Sequence, residues 1–185
     1  MKNKAAEEMD TYVALLRGIN VGGHKYAPMA EVRKAFVKMG FHNVGSILAT
    51  GNIIFDAPSA KVEKLSEMIT TFLEQTFGFE IPVVLVTLSS IKKIAESNSF
   101  ENVDVTSSTR LYVSFFSEKN KSKLKIPYTS TDGSFEILSV KDNAIFSVLD
   151  LDKTQTPDVM NILEKEYGKK ITTRNWNTVQ KIAKA

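Results

Sequence analysis

Cysteine is absent from the 185 residues, which excludes disulfides, thiolate nucleophiles and Cys-ligated metal centres together. Histidine occurs only at His24 and His42, and no Ser-His-Asp or His-rich arrangement can be built from the spacing. Long apolar runs are also lacking, none approaching the ~20 residues a membrane helix needs. The opening stretch MKNKAAEEMDT has no apolar centre of the kind a secretory signal carries, so a cytoplasmic protein is expected. Nor does one sign of charge dominate. Lys and Arg number 24 against 21 Asp and Glu, and a net +3 does not by itself mark a nucleic-acid-binding protein. The basic excess gathers near the end, at Lys165, Lys169, Lys170, Arg174, Lys181 and Lys184, and reads as a solvated helical tail with cations near helix C-termini.

What is present is a mixed strand and helix pattern. TYVALLR (11–17) is β-rich and nearly all apolar, as a central strand is. Pro28 opens a helix over MAEVRKAFVKMGF, closed by Gly40, with His42 expected to end it. NVGSILATGNIIFDA reads as two strands reversed at Thr50-Gly51-Asn52. A helix follows over 59–77 and a strand over 81–87, so the order is β-α-β-β-α-β, the split βαβ or ferredoxin-like arrangement. After a helix near 89–98 the pattern partly recurs. RLYVSFFS is a strand, 118–124 is a polar and helical link, and SFEILSVKDNAIFSVLD is a hairpin around Lys141-Asp142-Asn143. A helix PDVMNILEKEYG then begins, and KKITTRNWNTVQKIAKA reads as a turn and a final helix in place of the last strand. The expected fold is therefore α+β, two tandem ferredoxin-like subdomains with antiparallel sheets and a C-terminal helical extension. A disordered tail is expected over 1–10, the first subdomain over 11–98 and the variant one over 99–185. In a split βαβ the first two strands are parallel, so the loop after the first and the turn after the second are neighbours.

Two stretches are dense in unusual residues. In ALLRGINVGGHKYAPM, Gly18, Gly22 and Gly23 permit positive φ and close backbone approach. A glycine-rich loop feeding a helix can present amides to an anion, although Gly-x-x-x-Gly-Gly is neither the dinucleotide fingerprint nor the P-loop. Arg17 offers a planar donor fork suited to phosphate or carboxylate. Asn20 serves a ligand or the loop's own backbone. His24 titrates near neutrality but has no evident partner, and Lys25 reads as exposed. In TTRNWNT (172–178), Asn175 or Thr173 could cap the last helix while Trp176 packs against the body; alternatively Arg174 and Asn175 face a bound group and Trp176 stacks on it. Asp150, Asp152 and Asp158 are oxygen donors, but strand ends and helix first turns attract aspartate without metal, and no metal site is assigned.

YVALLRGINVGG, Pro28-Met29, TGNIIF and TTRNWNT together resemble a bacterial family catalogued as domain of unknown function 1697, over nearly the whole chain from about Met9. The family's Arg-Gly-Ile-Asn-Val-Gly-Gly, Ser-Gly-Asn and Thr-Arg-Asn-Trp patterns fall on Arg17–Gly23, Thr50–Asn52 and Thr173–Trp176. Thr50 in place of serine keeps the hydroxyl. HKYAP departs from the family's usual Lys-Asn pair, and KDNAIF lacks its glycine and arginine. The resemblance implies ferredoxin-like halves and brings no established activity or cofactor.

The functional expectation is a binding protein for a phosphate-bearing ligand, a nucleotide or nucleic acid. Its surface is composed of Arg17, Gly18, Asn20, Gly22, Gly23, Lys25, Thr50, Gly51 and Asn52, with Thr173, Arg174, Asn175 and Trp176 approaching them. Strand aromatics Tyr12, Tyr112 and Phe115 are candidates for stacking bases, against core packing as the plainer role. The alternatives are an enzyme using Arg17 with Thr50 or His24, and an assembly surface in which Arg17 meets a partner's carboxylate. No cofactor or oligomeric state is indicated.

Overall fold

A computed structural model describes residues 8–20, 25–116, 125–153, 159–168 and 170–185. The chain divides into two compact units, Met1–Ile91 and Lys92–Ala185. Both carry antiparallel sheets with helices, an α+β composition.

In the first unit the elements are β1 (Met9–Leu16), α1 (Met29–Lys38), β2 (His42–Ser46), β3 (Asn52–Pro58), α2 (Val62–Phe77) and β4 (Val83–Thr87), with α3 (Leu88–Glu96) following. The sheet order is β2-β3-β1-β4, and every neighbouring pair is antiparallel. β1 is buried on both faces from Tyr12 to Leu16, which is why its sequence is a solid apolar run rather than an alternating one. Val32, Ala35 and Phe36 of α1 and Leu65, Ile69 and Leu73 of α2 recur at helical spacing and pack on the β1–β3–β4 side chains in one core. Gly40 (φ +85) and Gly78 (φ +76) close the two helices in left-handed conformation.

The strand starts two residues earlier than the expected Thr11, and Asp10 pairs with Ala57 within the sheet. His42 does not end α1. It opens β2 opposite Asp56, because Gly40 and the buried Phe41 turn the chain first. Likewise Asn52 is not part of the turn but the first residue of β3, paired with Leu15.

The second unit holds β5 (Thr109–Phe116), β6 (Tyr128–Thr129), β7 (Phe135–Lys141), β8 (Ala144–Asp150), α4 (Val159–Tyr167), β9 (Ile171–Asn175) and α5 (Trp176–Ala183). Asp142 (φ +48) and Asn143 (φ +61) form a two-residue turn between β7 and β8, with Lys141 opposite Ala144. Both central residues have positive φ, as a turn matched to strand twist requires. The sheet order is β6-β7-β8-β5-β9. The expected link helix at 118–124 lies outside the described residues.

The end of the chain corrects the sequence reading. ITTRN is a strand paired with β5 from Phe116 opposite Ile171 to Tyr112 opposite Asn175, not a turn. Its β-branched residues favour extended backbone, and an edge position with one partner tolerates the polar residues that suggested a turn. Consequently β7-β8-β5-β9 repeats the connectivity of β2-β3-β1-β4: a hairpin flanks the first strand on one side, and the last strand flanks it on the other.

Candidate functional site

The β1–α1 loop leaves the sheet at Arg17, whose backbone N–H donates to Pro82 O at 2.9 Å. One strand away the β2–β3 connection returns, and Leu16 N–H donates to Gly51 O at 2.8 Å. The expected neighbourhood of loop and turn is therefore present within the first unit. Gly51 (φ +76) is so close that a Cβ there would stand 3.0 Å from Leu16 Cβ and 3.1 Å from Ile19 Cδ1. The glycine is what lets the turn lie on the loop.

Asn20 joins the same two segments. Its backbone is left-handed (φ +57), a conformation asparagine tolerates. Its Nδ2 donates to Ala27 O at 2.9 Å and to Ala49 O at 3.4 Å, while Oδ1 accepts from Ala27 N–H at 3.0 Å. Of its two sequence-level roles, the structure shows the one that holds the loop's backbone. Asn52 acts similarly in the turn. It is 0 % exposed, and its amide donates to Ile47 O at 2.9 Å and Thr50 Oγ1 at 3.2 Å. Both asparagines thus hold the backbone of the edge, Asn52 from the interior and Asn20 at the surface.

Arg17 is half-buried, while Gly18 and Thr50 are exposed. Gly18 is also left-handed (φ +68), but a Cβ there would meet nothing within 4 Å. Lys25 is less exposed than expected. Its Nζ donates to Glu80 O at 3.1 Å and stands 5.9 Å from the centre of the Phe79 ring, which ties the far end of the loop to the chain ahead of β4. Gly22, Gly23 and His24 lie outside the described residues.

Sequence reading missed Arg33. It occupies an ordinary polar position of an amphipathic helix, yet its Nη1 donates to Ser46 Oγ at 2.7 Å, at the end of β2 where the turn begins. Nothing local signals this, because the contact joins a helix to a strand thirteen residues on. Pro28 precedes α1 without a side-chain hydrogen bond to its first turn. Where the turn begins, the edge thus holds a guanidinium–hydroxyl pair supplied by α1 and β2.

The terminal motif belongs to the second unit. Asn175 caps α5, its Oδ1 accepting from Thr178 N–H at 2.9 Å and Thr178 Oγ1 at 2.8 Å. Asn175→Ala is expected to cost about 1 kcal/mol, read as a lower urea midpoint with an unchanged slope. Trp176 packs edge-on against Phe100, ring centres 5.1 Å apart. Thr173 Oγ1 and Ser114 Oγ share a hydrogen bond of 2.6 Å across β5 and β9. Arg174 Nη1 donates to Thr172 Oγ1 (2.8 Å) and Thr173 O (2.9 Å), and burial of its guanidinium lowers its pKa to about 10, still charged at neutral pH.

Strand aromatics are not a stacking platform here: Tyr12 and Phe115 are each 1 % exposed, and Tyr112 packs against the second unit's core. Asp152 accepts from Ser108 Oγ at 2.6 Å, and Asp150 accepts from Asp152 N–H at 3.0 Å and pairs with Lys153. Asp158 lies outside the described residues. Among those residues no cluster of three metal-ligating side chains occurs, and no helix is long and apolar enough to cross a membrane.

A family model described as "Protein of unknown function (DUF1697)" matches residues 9–146, which contain the whole edge just described. The chain belongs to this family. The DUF1697 match ends within β8, so β9 and α5 lie beyond it. No curated protein matches the chain. A solved structure of a conserved bacterial protein, SP0830 from Streptococcus pneumoniae, is similar with a TM-score of 0.71 and 24% identity, covering 96% of this chain and 98% of that one. At that identity the likeness speaks for the fold alone.

Proposed function

We propose that this protein binds a phosphate-bearing ligand at the edge of the first sheet, where the β1–α1 loop meets the β2–β3 turn. The observation that carries the reading is the joining of these segments by Leu16 N–H to Gly51 O and by the Asn20 amide, which gathers Arg17, Gly18 and Thr50 into one neighbourhood. A guanidinium provides charge-assisted, paired hydrogen bonds to phosphate oxygens. Glycine allows backbone to approach them, and a helix start adds a favourable field. Arg33 fixes the start of the turn from α1 through Ser46 Oγ.

Arg17→Ala is expected to weaken binding of the phosphate compound by about 1.5–3 kcal/mol in a calorimetric titration. Equal affinity in the variant, or no binding of any compound in a broad panel of phosphates, contradicts the proposal. The site so proposed uses residues of the first unit only.

We also infer that the two units are tandem ferredoxin-like halves of a cytoplasmic protein. What supports the tandem reading is the shared strand connectivity and the helix that follows the last strand of each sheet. A crystal structure with another strand order in the second sheet would contradict it.

A further inference from the structure

Two large side chains at this edge are exposed in a way the fold does not require. Tyr26 in the β1–α1 loop is 73% exposed, and Leu48 in the β2–β3 turn is 44% exposed. They stand on adjoining segments. Ala27 O and Ala49 O, each one residue from them, both accept from the single Asn20 Nδ2. Leu48 is also held at φ +61, a conformation unusual for a bulky residue that asparagine or glycine would adopt more easily. Neither residue packs in the first unit's core.

We infer that the ligand of this edge is a mononucleotide, its base lying against Tyr26 and Leu48 and its phosphate held by Arg17. The assignment rests on the phosphate site proposed above and names the class of molecule that fills it. A phenol ring and an aliphatic side chain match the flat apolar faces of a nucleobase, a group that sugar phosphates and inorganic phosphate lack. Both residues adjoin Arg17: Tyr26 lies in the loop that Arg17 opens, and Leu48 lies in the turn joined to that loop by Leu16 N–H to Gly51 O and by the Asn20 amide to Ala49 O. A single nucleotide fits better than a nucleic-acid strand. Strand binding draws on a series of exposed aromatics along a groove or sheet, whereas Tyr12 and Phe115 are buried here. The basic excess of the sequence gathers at 165–184, in the second unit, and not among the residues of this edge.

The test is a calorimetric titration of the whole protein with adenosine 5′-monophosphate and with ribose 5-phosphate, repeated on Tyr26→Ala and Tyr26→Phe. The monophosphate is expected to bind wild type roughly tenfold more tightly than the sugar phosphate, the scale of one base–aromatic stack. Tyr26→Ala should remove that advantage and leave ribose 5-phosphate affinity unchanged, and Tyr26→Phe should restore it. Tyr26 is exposed, so the variants are expected to fold, which circular dichroism checks. Equal affinity for the two ligands, or an advantage that survives Tyr26→Ala, overturns the nucleotide assignment while leaving the phosphate site standing. Absence of binding by both ligands overturns the inference and, with inorganic phosphate also unbound, the site itself. A short single-stranded oligonucleotide that binds far more tightly than the monophosphate, with the same dependence on Tyr26, overturns the mononucleotide as occupant.

Discussion

Gly51→Ala is expected to destabilise the protein by about 2–5 kcal/mol, from two costs that act together. The backbone at Gly51 is left-handed (φ +76), where an L-residue carries a penalty of about 1–2 kcal/mol. The new methyl also meets Leu16 Cβ at 3.0 Å and Ile19 Cδ1 at 3.1 Å, inside a packed region where overpacking costs about 1–3 kcal/mol. Ile19 can rotate, but Leu16 Cβ is fixed to the backbone that donates to Gly51 O, so relief means opening the loop–turn junction. Gly18→Ala separates the two costs. Gly18 is left-handed too (φ +68), but its Cβ would meet nothing within 4 Å, so only the backbone penalty applies. Urea denaturation of both variants should rank Gly51→Ala well below Gly18→Ala. Equal losses would mean the loop and turn are not in close contact. The same substitution should weaken ligand binding at the edge, because it displaces the segment carrying Thr50.

Phe55→Ala is expected to have a still larger effect, about 3–5 kcal/mol, the range for truncating a fully buried aromatic. Phe55 is unexposed at the centre of β3, and three other rings converge on it. Phe41 lies 4.5 Å away between ring centres, Phe36 of α1 lies 5.1 Å away, and Tyr12 of β1 lies 5.8 Å away. Removing it empties space shared by a helix and two strands, which cannot all close in without shifting α1 on the sheet. Arg33 of α1 holds Ser46 where the turn begins, so affinity for the proposed ligand should fall alongside stability. Denaturant unfolding gives the stability change, and a loss under 1 kcal/mol would mean the aromatic cluster is loosely packed.

Much of the first unit was legible because its signals are local. The solid apolar run of β1, the helical spacing of Val32, Ala35 and Phe36, and the glycine closures each fix an element from neighbouring residues. Topology then carried the argument one step further: parallel first and second strands imply adjacent loop and turn, and the Leu16–Gly51 hydrogen bond lies at that junction. The misreadings share a physical origin. His42 and Asn52 are polar residues in strands, and their placement follows from cross-strand partners Asp56 and Leu15 far off in sequence. ITTRN reads as a turn in the sequence because edge strands accept polar residues that central strands do not. At the candidate site the adjacency of loop and turn was legible, but the contacts of the individual side chains were not. Asn20 and Asn52 turned out to hold backbone, Asn175 a helix cap, and Trp176 a ring contact with Phe100. Arg33 was invisible, since a helix-to-strand contact leaves no pattern in either element.

The most direct test is a titration of the nitrogen-15-labelled protein with inorganic phosphate and with adenosine 5′-monophosphate, followed by amide chemical shifts. The account predicts saturable shifts at Gly18, Ile19, Tyr26, Thr50 and Gly51, with the hairpin turn at Asp142 and Asn143 unmoved. Shifts centred on the second unit, or none at millimolar concentrations of both ligands, would contradict it.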